Sequence, residues 1–248
     1  MANENKFPTE IVELPSKGYF YPKENPLSTG KVEIKYMTAK EEDILTSVNL
    51  IEQGVVLDVL LKELIIDKDI DLDTILLGDK NALFVSARVL AYGGEYKFQI
   101  GKDTGTVDLS KIKARDMDYS KLERGENNFE YTIPSAKRKL TFKLLTQKDD
   151  VEIREELDGL KKVGLKVDRE VSTRLKKIIT SVDDKVDKAY INNFVDNEFL
   201  SRDTMAFRRH VISITPDLDM ETEVTLSNGE RRTVSVPMTV TFFWPAVD

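Results

Sequence analysis

The sequence predicts an α+β protein built from two related lobes, each with helices and a small antiparallel β-hairpin, preceded by an extended N-terminal arm. Short alternating segments typical of strands are interspersed with amphipathic segments typical of helices. The same strand-to-helix pattern occurs twice, and both occurrences are followed by further helical segments and then by a hairpin pattern.

The arm comprises residues 1–31. Its segment LPSKGYFYP, at 14–22, has prolines near both ends and a glycine inside, which favours an extended, non-helical chain. Three consecutive aromatic residues, Tyr19, Phe20 and Tyr21, would then point to alternate sides of the chain and meet two surfaces. One surface is the body of the protein, and the other is a docking partner, unless the arm packs wholly on its own core.

The first lobe is predicted over residues 32–115. An alternating strand leads to Thr38, which suits the N-cap of a helix and is followed by acidic residues in the first turn. Apolar residues at helical spacing predict further helices over 55–65 and 78–92. Alternation over 95–109, around a turn with two glycines, predicts a hairpin.

Polar and charged residues at 116–128 predict a linker, and the second lobe follows over residues 129–248. Its predicted elements are strands at 129–133 and 140–145, helices from Thr146 and over 171–179, 189–200 and 201–214, a hairpin over 223–236, and a last strand over 238–242. The only tryptophan, Trp244, comes after this strand and is either a plug into the core or an anchor for a partner.

The repeated strand-to-helix pattern lies at residues 32–43 and 140–151. The coinciding residues are Lys35 with Lys143, Thr38 with Thr146, Lys40 with Lys148, Glu41 with Asp149 and Glu42 with Asp150. In each window a threonine that can cap a helix is followed three positions later by an acidic residue. The alignment predicts a duplicated unit. Chance similarity is the alternative, because strand-cap-helix junctions are common.

The composition excludes several classes of site. The 248 residues contain no cysteine and one histidine, which excludes disulfides, thiol catalysis, cysteine-ligated zinc and multi-histidine metal sites. With 37 basic and 44 acidic residues the net charge is −7, which weighs against binding to nucleic-acid phosphates. The first residues lack the apolar stretch of a secretory signal, and no apolar run is long enough to span a membrane, so we expect a cytoplasmic location.

No set of residues predicts catalysis, a metal site or a cofactor. The acidic pairs fall near predicted helix starts, where solvation and the helix dipole account for them. The alternating acids of 67–73 lack the glycine and glutamate of a calcium loop, since Leu72 and Gly78 occupy those positions. His210 has no distinctive serine and acid partners. Basic clusters such as Arg208-Arg209 indicate solvated faces or rim charges for an acidic partner.

Four segments, in sequence order, carry a resemblance to a known family. They are Leu14–Pro22, Leu76–Ala82 (LLGDKNA), Tyr92–Tyr96 (YGGEY) and Phe242–Pro245 (FFWP). Together they resemble the baseplate hub proteins of T-even-like contractile-tailed bacteriophages, over nearly the whole chain. The resemblance implies a virion or tail-assembly protein located in the tail baseplate, and in the host cytoplasm during assembly, with other phage tail and baseplate hub proteins as partners.

The sequence departs from this family at two places. Many relatives carry Cys-x-x-Cys pairs after the Tyr-Gly segment and again in the C-terminal hairpin, which suggests zinc ribbons. The corresponding segments here, 100–105 and 226–229, contain no such ligands. We therefore expect no zinc and no other cofactor.

The leading hypothesis is a non-enzymatic structural component of a baseplate hub that docks through aromatic-proline segments near both ends. The candidate partner-binding residues are Tyr19, Phe20, Tyr21, Pro22, Phe242, Phe243, Trp244 and Pro245. The alternatives are an assembly chaperone absent from the mature virion and, less in keeping with the residues, a cell-wall-degrading hub hydrolase. Self-association into a homo-oligomer is left open.

Overall fold

The structure is a computed structural model that describes residues 8–101, 103–164, 167–226, 229–238 and 240–243. In these residues the chain forms eight α-helices and nine strands in small antiparallel sheets, which confirms the α+β class. The first half contains β1 (Thr9–Glu13), β2 (Lys31–Lys35), α1 (Ala39–Leu45), α2 (Val48–Glu52), α3 (Val56–Leu64), α4 (Leu77–Tyr92), β3 (Glu95–Ile100) and β4 (Asp103–Asp108). The second half contains β5 (Phe129–Thr132), β6 (Lys139–Phe142), α5 (Gln147–Lys162), α6 (Glu170–Ile178), β7 (Ile179–Val182), α7 (Lys188–Asn197), α8 (Ser201–Ile214), β8 (Glu221–Thr225) and β9 (Arg231–Ser235).

The described part of the N-terminal arm folds into the first lobe. β1 pairs antiparallel with β2, with Val12 opposite Val32. The chain between the two strands folds back in two tight turns that press against each other. Gly18 and Gly30 have φ of +72°, and a Cβ on Gly18 would lie 2.3 Å from the carbonyl oxygen of Ser28. Glycine is therefore required there for both conformation and space.

The two halves repeat the same order of elements. In each, a hairpin (β1–β2 or β5–β6) is followed by helices, after which the chain returns to pair with the second strand of that hairpin. The returning residue is Ile65, opposite Ile34, in the first half, and β7, beside β6, in the second. One α-helix, α4, in the first half and two, α7 and α8, in the second then lead to a second hairpin, β3–β4 or β8–β9.

The aligned windows form the same local structure. The Thr38 N–H donates to the Glu41 carboxylate at 2.9 Å, and the Thr146 N–H donates to the Asp149 carboxylate at 3.0 Å. The coinciding lysines, Lys35 and Lys143, contact these carboxylates at 2.8 and 2.7 Å. Both carboxylates are buried, and each is the third residue of its helix. The predicted caps at Thr38 and Thr146 are thus confirmed.

A second repeated contact was not predicted from the sequence. Leu14-Pro15-Ser16 follows β1, and Ile133-Pro134-Ser135 follows β5. The Ser16 hydroxyl donates to Asp79 at 2.6 Å, and the Ser135 hydroxyl donates to Asp203 at 2.5 Å. Asp79 and Asp203 are buried third residues of α4 and α8. Each half therefore joins its hairpin to its later helix through a serine and a buried aspartate.

One hydrophobic core runs through both halves. The halves also share backbone hydrogen bonds: the Gln147 N–H donates to the Ile75 carbonyl at 2.8 Å, and the Leu77 N–H donates to the Leu145 carbonyl at 3.2 Å. The predicted linker packs on the arm, since the hydroxyl of Tyr119 donates to the Pro15 carbonyl at 2.9 Å. The described lobes are thus packed against each other.

Three elements differ from the sequence prediction. β1 lies in the predicted arm, and β7 follows directly where a helix was expected to end, at Ile179. The strand expected over 238–242 is replaced by a 3-10 helix at Val240–Phe243. Because the consecutive Phe242 and Phe243 are both buried, an extended strand, which sends neighbours to opposite faces, does not suit this segment.

The capping carboxylate of α1 provides a test of this architecture. Burial alone would raise the pKa of Glu41, but hydrogen bonds from Lys35 and Thr38 outweigh it and lower the pKa from 4.5 to about 2. We expect Glu41→Gln to lower the free energy of unfolding at pH 7 by about 1–3 kcal/mol. Since the folded pKa is depressed, the difference from wild type should shrink as the pH falls from 4.5 towards 2, in urea titrations.

The matched control is Glu52→Gln, which removes an exposed carboxylate from α2. Its unfolding free energy should stay within about 0.5 kcal/mol of wild type at every pH. Equal effects of the two substitutions would contradict the assigned role of Glu41.

Candidate interaction surface

Four of the eight predicted partner-binding residues are core residues. Phe20, Tyr21, Phe242 and Phe243 are between 1% and 4% exposed. Side chains with so little accessible surface are not presented to a partner by this fold, which corrects the docking expectation for them. Tyr19 is half-buried and Pro22 is exposed, and Trp244 and Pro245 lie outside the described residues.

The arm aromatics instead fasten the arm to the body. The Tyr21 hydroxyl donates to Asp79 at 2.6 Å and accepts from the Leu76 N–H at 2.9 Å. Burial raises the pKa of Asp79, although the hydrogen bonds from Ser16 and Tyr21 oppose that shift. Burial, reinforced by the Asp79 charge, also raises the pKa of Tyr21. The Phe20 ring meets Phe129 of β5 at 5.4 Å, so the arm also contacts the second lobe.

The C-terminal phenylalanines cover one face of α4. The Phe243 ring packs edge-on against Phe84 at 5.9 Å, and Phe242 packs against Tyr96 at 5.0 Å. The Nε of Arg88 donates to the Phe242 carbonyl at 2.9 Å. This segment is therefore a lid on the first lobe formed by the chain itself.

Several acidic residues that the sequence singled out have structural partners in the described chain. Glu41 and Asp149 complete capping boxes, and the Asp67 and Asp71 carboxylates accept backbone N–H bonds in their own loop. No group of three or more potential ligands that could hold a metal ion occurs among the described residues. Asp67, Asp69, Asp71 and Asp73 are exposed, so this loop is a solvated connection between helices.

His210 is half-buried, as expected from the sequence. Its ring packs against Tyr131 at 5.0 Å and Phe142 at 5.7 Å. Burial lowers its pKa, which favours the neutral ring. This aromatic environment explains the histidine as a packing residue of α8.

A charged network joins the two lobes beside a cleft of about 500 Å³. Asp58 of α3 binds the Lys80 ammonium at 2.7 Å and the Arg154 guanidinium at 3.2 Å. Asp150 contacts Arg154 at 3.3 Å and Arg174 at 3.5 Å. Because each of these charges has an opposite partner, the network is suited to fixing α3 and α4 against α5 and α6.

A second concavity, an apolar groove of about 340 Å³, lies between α6 and α8. We call it the α6–α8 groove. Its apolar lining consists of Val171, Leu175, Ile178, Phe207, Val211 and Ile212. Val171 is 46% exposed and Ile212 is 57% exposed. Seven of the nine exposed large apolar side chains of the described chain lie between residues 163 and 212, so exposed apolar surface is concentrated in this part of the second lobe.

Basic side chains lie at this groove. Arg208 is exposed and lines it, and Arg209 is exposed on the next position of α8. Neither forms an ion pair with a carboxylate in the described chain, whereas Arg174 on the α6 side is paired with Glu170 at 3.0 Å. Apolar groups beside unpaired arginines are typical of protein-binding surfaces. Arg208-Arg209 is one of the basic clusters that the sequence indicates as solvated faces or rim charges, whereas the groove itself arises only from the packing of α6 and α8.

Comparison with known proteins adds no assignment: no family model matches the chain, and neither the curated proteins nor the solved structures contain a significant match. Within the described residues, no helix has the length and apolar character needed to cross a membrane.

The arm contact can be tested with Tyr21→Phe. Removing this hydroxyl leaves Asp79 with one donor fewer and the buried Leu76 N–H without its acceptor. We expect the free energy of unfolding to fall by about 1–3 kcal/mol, measured by urea denaturation. Tyr36→Phe is the control, because Tyr36 is half-buried and its hydroxyl makes no hydrogen bond in the described chain. A loss of equal size in both variants would argue against the contact.

Chelation offers a second test. The segments at 100–105 and 226–229 contain no cysteine or histidine, so the hairpins lack the ligands of a zinc ribbon. We expect the midpoint of thermal unfolding to be the same in EDTA and in added zinc, by calorimetry. A lower midpoint in EDTA would reveal a structural metal and overturn the expectation.

Proposed function

We propose that this protein is a non-enzymatic structural component of a phage tail baseplate hub, which docks onto other tail proteins. The observation that carries the proposal is the way the segments behind the family resemblance meet around α4. Each segment alone gives only weak support for the family resemblance. Segments that contact one another form one structural unit, which proteins with the same fold would retain together.

The contacts between these segments are direct. Ser16 and Tyr21, from 14–22, bind Asp79 of the segment 76–82. Tyr96, from 92–96, packs against Phe242 of the last segment. Segments 14–22 and 242–243, which are far apart in the sequence, therefore both pack on α4, the helix that contains most of segment 76–82, and this supports treating the resemblance as one feature of the fold.

The docking surface that we propose is the α6–α8 groove. Four residues of the aromatic segments, Phe20, Tyr21, Phe242 and Phe243, are buried against the chain itself. The groove combines exposed apolar side chains with Arg208, which lacks a carboxylate partner in the described chain. Such a surface suits association with a protein better than it suits chemistry on a small substrate.

The proposal places the protein in the tail baseplate of the virion, after assembly in the host cytoplasm. We expect mass spectrometry of purified virions to recover it in a fixed ratio to other baseplate proteins. Size exclusion with light scattering should show a defined complex when it is co-expressed with neighbouring tail proteins. Both measurements follow from a structural role, because a structural component stays bound in the finished particle.

Other experimental results would indicate one of the two alternative functions. A complex during assembly but absence from virions would indicate an assembly chaperone. A clear zone on a peptidoglycan zymogram, lost when one acidic residue is replaced, would indicate a hydrolase. Either result would reject the structural role.

A further inference from the structure

We infer that the α6–α8 groove binds an acidic segment of a partner protein, folded as a short helical turn and carrying bulky apolar side chains. This inference deepens the proposed function by giving the chemistry of the partner at the docking surface, and it rests on that function only for naming the partner as a tail protein.

The internal repeat relates α4 of the first half to α8 of the second. Asp79 and Asp203 are equivalent, because each is the third residue of its helix and accepts a hydrogen bond from the serine of a Pro-Ser pair. Aligning α4 with α8 on these aspartates pairs Leu83 with Phe207, Phe84 with Arg208, Ala87 with Val211 and Arg88 with Ile212. The residues that line the groove on α8 thus correspond to one face of α4.

In the first lobe that face is covered. The 3-10 helix Val240–Phe243 lies on it, with Phe243 against Phe84 and the Phe242 carbonyl accepting from Arg88. The covering segment is short, helical and aromatic. It shows the kind of ligand that this helix face accommodates in this fold.

In the second lobe the equivalent face is open. Ile212 is 57% exposed and Val171, across the groove, is 46% exposed, while Arg88, at the position of Ile212, is 3% exposed. No segment of the described chain plays the part of Val240–Phe243 here. α6 has nine residues and is about 13 Å long, which leaves room for one or two helical turns of a second chain.

The charge of the groove indicates which type of residue lies beside the apolar side chains of the partner. Phe84 of α4 is replaced on α8 by Arg208, which lines the groove, is exposed and has no carboxylate partner in the described chain. Guanidinium groups pair best with carboxylates, often through two parallel hydrogen bonds. A partner with an acidic residue beside its apolar ones would pair with Arg208 and fill the groove.

The test uses the full chain and two fluorescently labelled synthetic peptides. Each peptide has two adjacent phenylalanines in a helix-favouring sequence, with flanking glutamates in one peptide and flanking lysines in the other. Binding is measured by fluorescence anisotropy. We expect saturable binding of the glutamate peptide and at least about tenfold weaker binding of the lysine peptide. The net charge of −7 would by itself favour the lysine peptide, so the expected preference requires a local basic site.

Two substitutions in the groove and two matched controls locate the site. Arg208→Glu should weaken the glutamate peptide about tenfold and improve binding of the lysine peptide, and Ile212→Gln should weaken both. The controls are Arg115→Glu, at another exposed arginine, and Ile11→Gln, at an isoleucine that is 60% exposed. Both controls should bind like wild type. Thermal unfolding of all four variants verifies that each is folded.

Several results would overturn the inference. These are absence of saturable binding, equal binding of the two peptides, or control variants as weak as the groove variants. A homodimer seen by light scattering and lost in Ile212→Gln would show that a second copy of this chain occupies the groove instead. Peptide binding is independent of the virion analysis, so failure of the baseplate role and failure of this inference are told apart.

Discussion

A buried carboxylate at the third position of a helix is the constraint on which this fold depends. Four helices, α1, α4, α5 and α8, have such a carboxylate. In each case the carboxylate accepts hydrogen bonds from residues that precede the helix in the sequence. Glu41 and Asp149 accept from the threonine that begins their own helix, while Asp79 and Asp203 accept from distant serines. A buried anion near the positive end of a helix is stabilised by the dipole, but it tolerates no loss of its donors. The positions of strands and helices are thereby linked.

This use of carboxylates explains how far the sequence could predict the fold. The cap of α1 is local, since Thr38 and Glu41 are three residues apart, and the pattern is therefore visible in the sequence. Ser16 and Asp79 are 63 residues apart, and nothing local marks them as partners. β7 was missed because the run from Ile178 to Val182 suits the end of a helix as well as a strand, and only pairing with β6 decides between them.

The candidate site was harder to predict than the fold. The sequence showed that aromatic residues cluster near both ends, but exposure depends on which other segments fold over them. Phe20 lies on Phe129 of β5, and Phe242 lies on Tyr96 of β3, so both are interior side chains. The groove depends on the spacing of α6 and α8, which come from separate stretches of the chain. Of its features only Arg208, as a member of a basic pair, is recognisable in the sequence.

The two halves have the same framework and different surfaces. On α4, Phe84 and Arg88 are buried by the chain's own aromatic turn, which completes the core of the first lobe. On α8 the corresponding residues are Arg208 and Ile212, and the described chain leaves them exposed. Replacing a phenylalanine by an arginine at such a position weakens the attraction of an apolar lid and adds a charge that pairs best with an acidic group. A duplicated unit can in this way use one copy of a helix face for its own stability and the other for a partner.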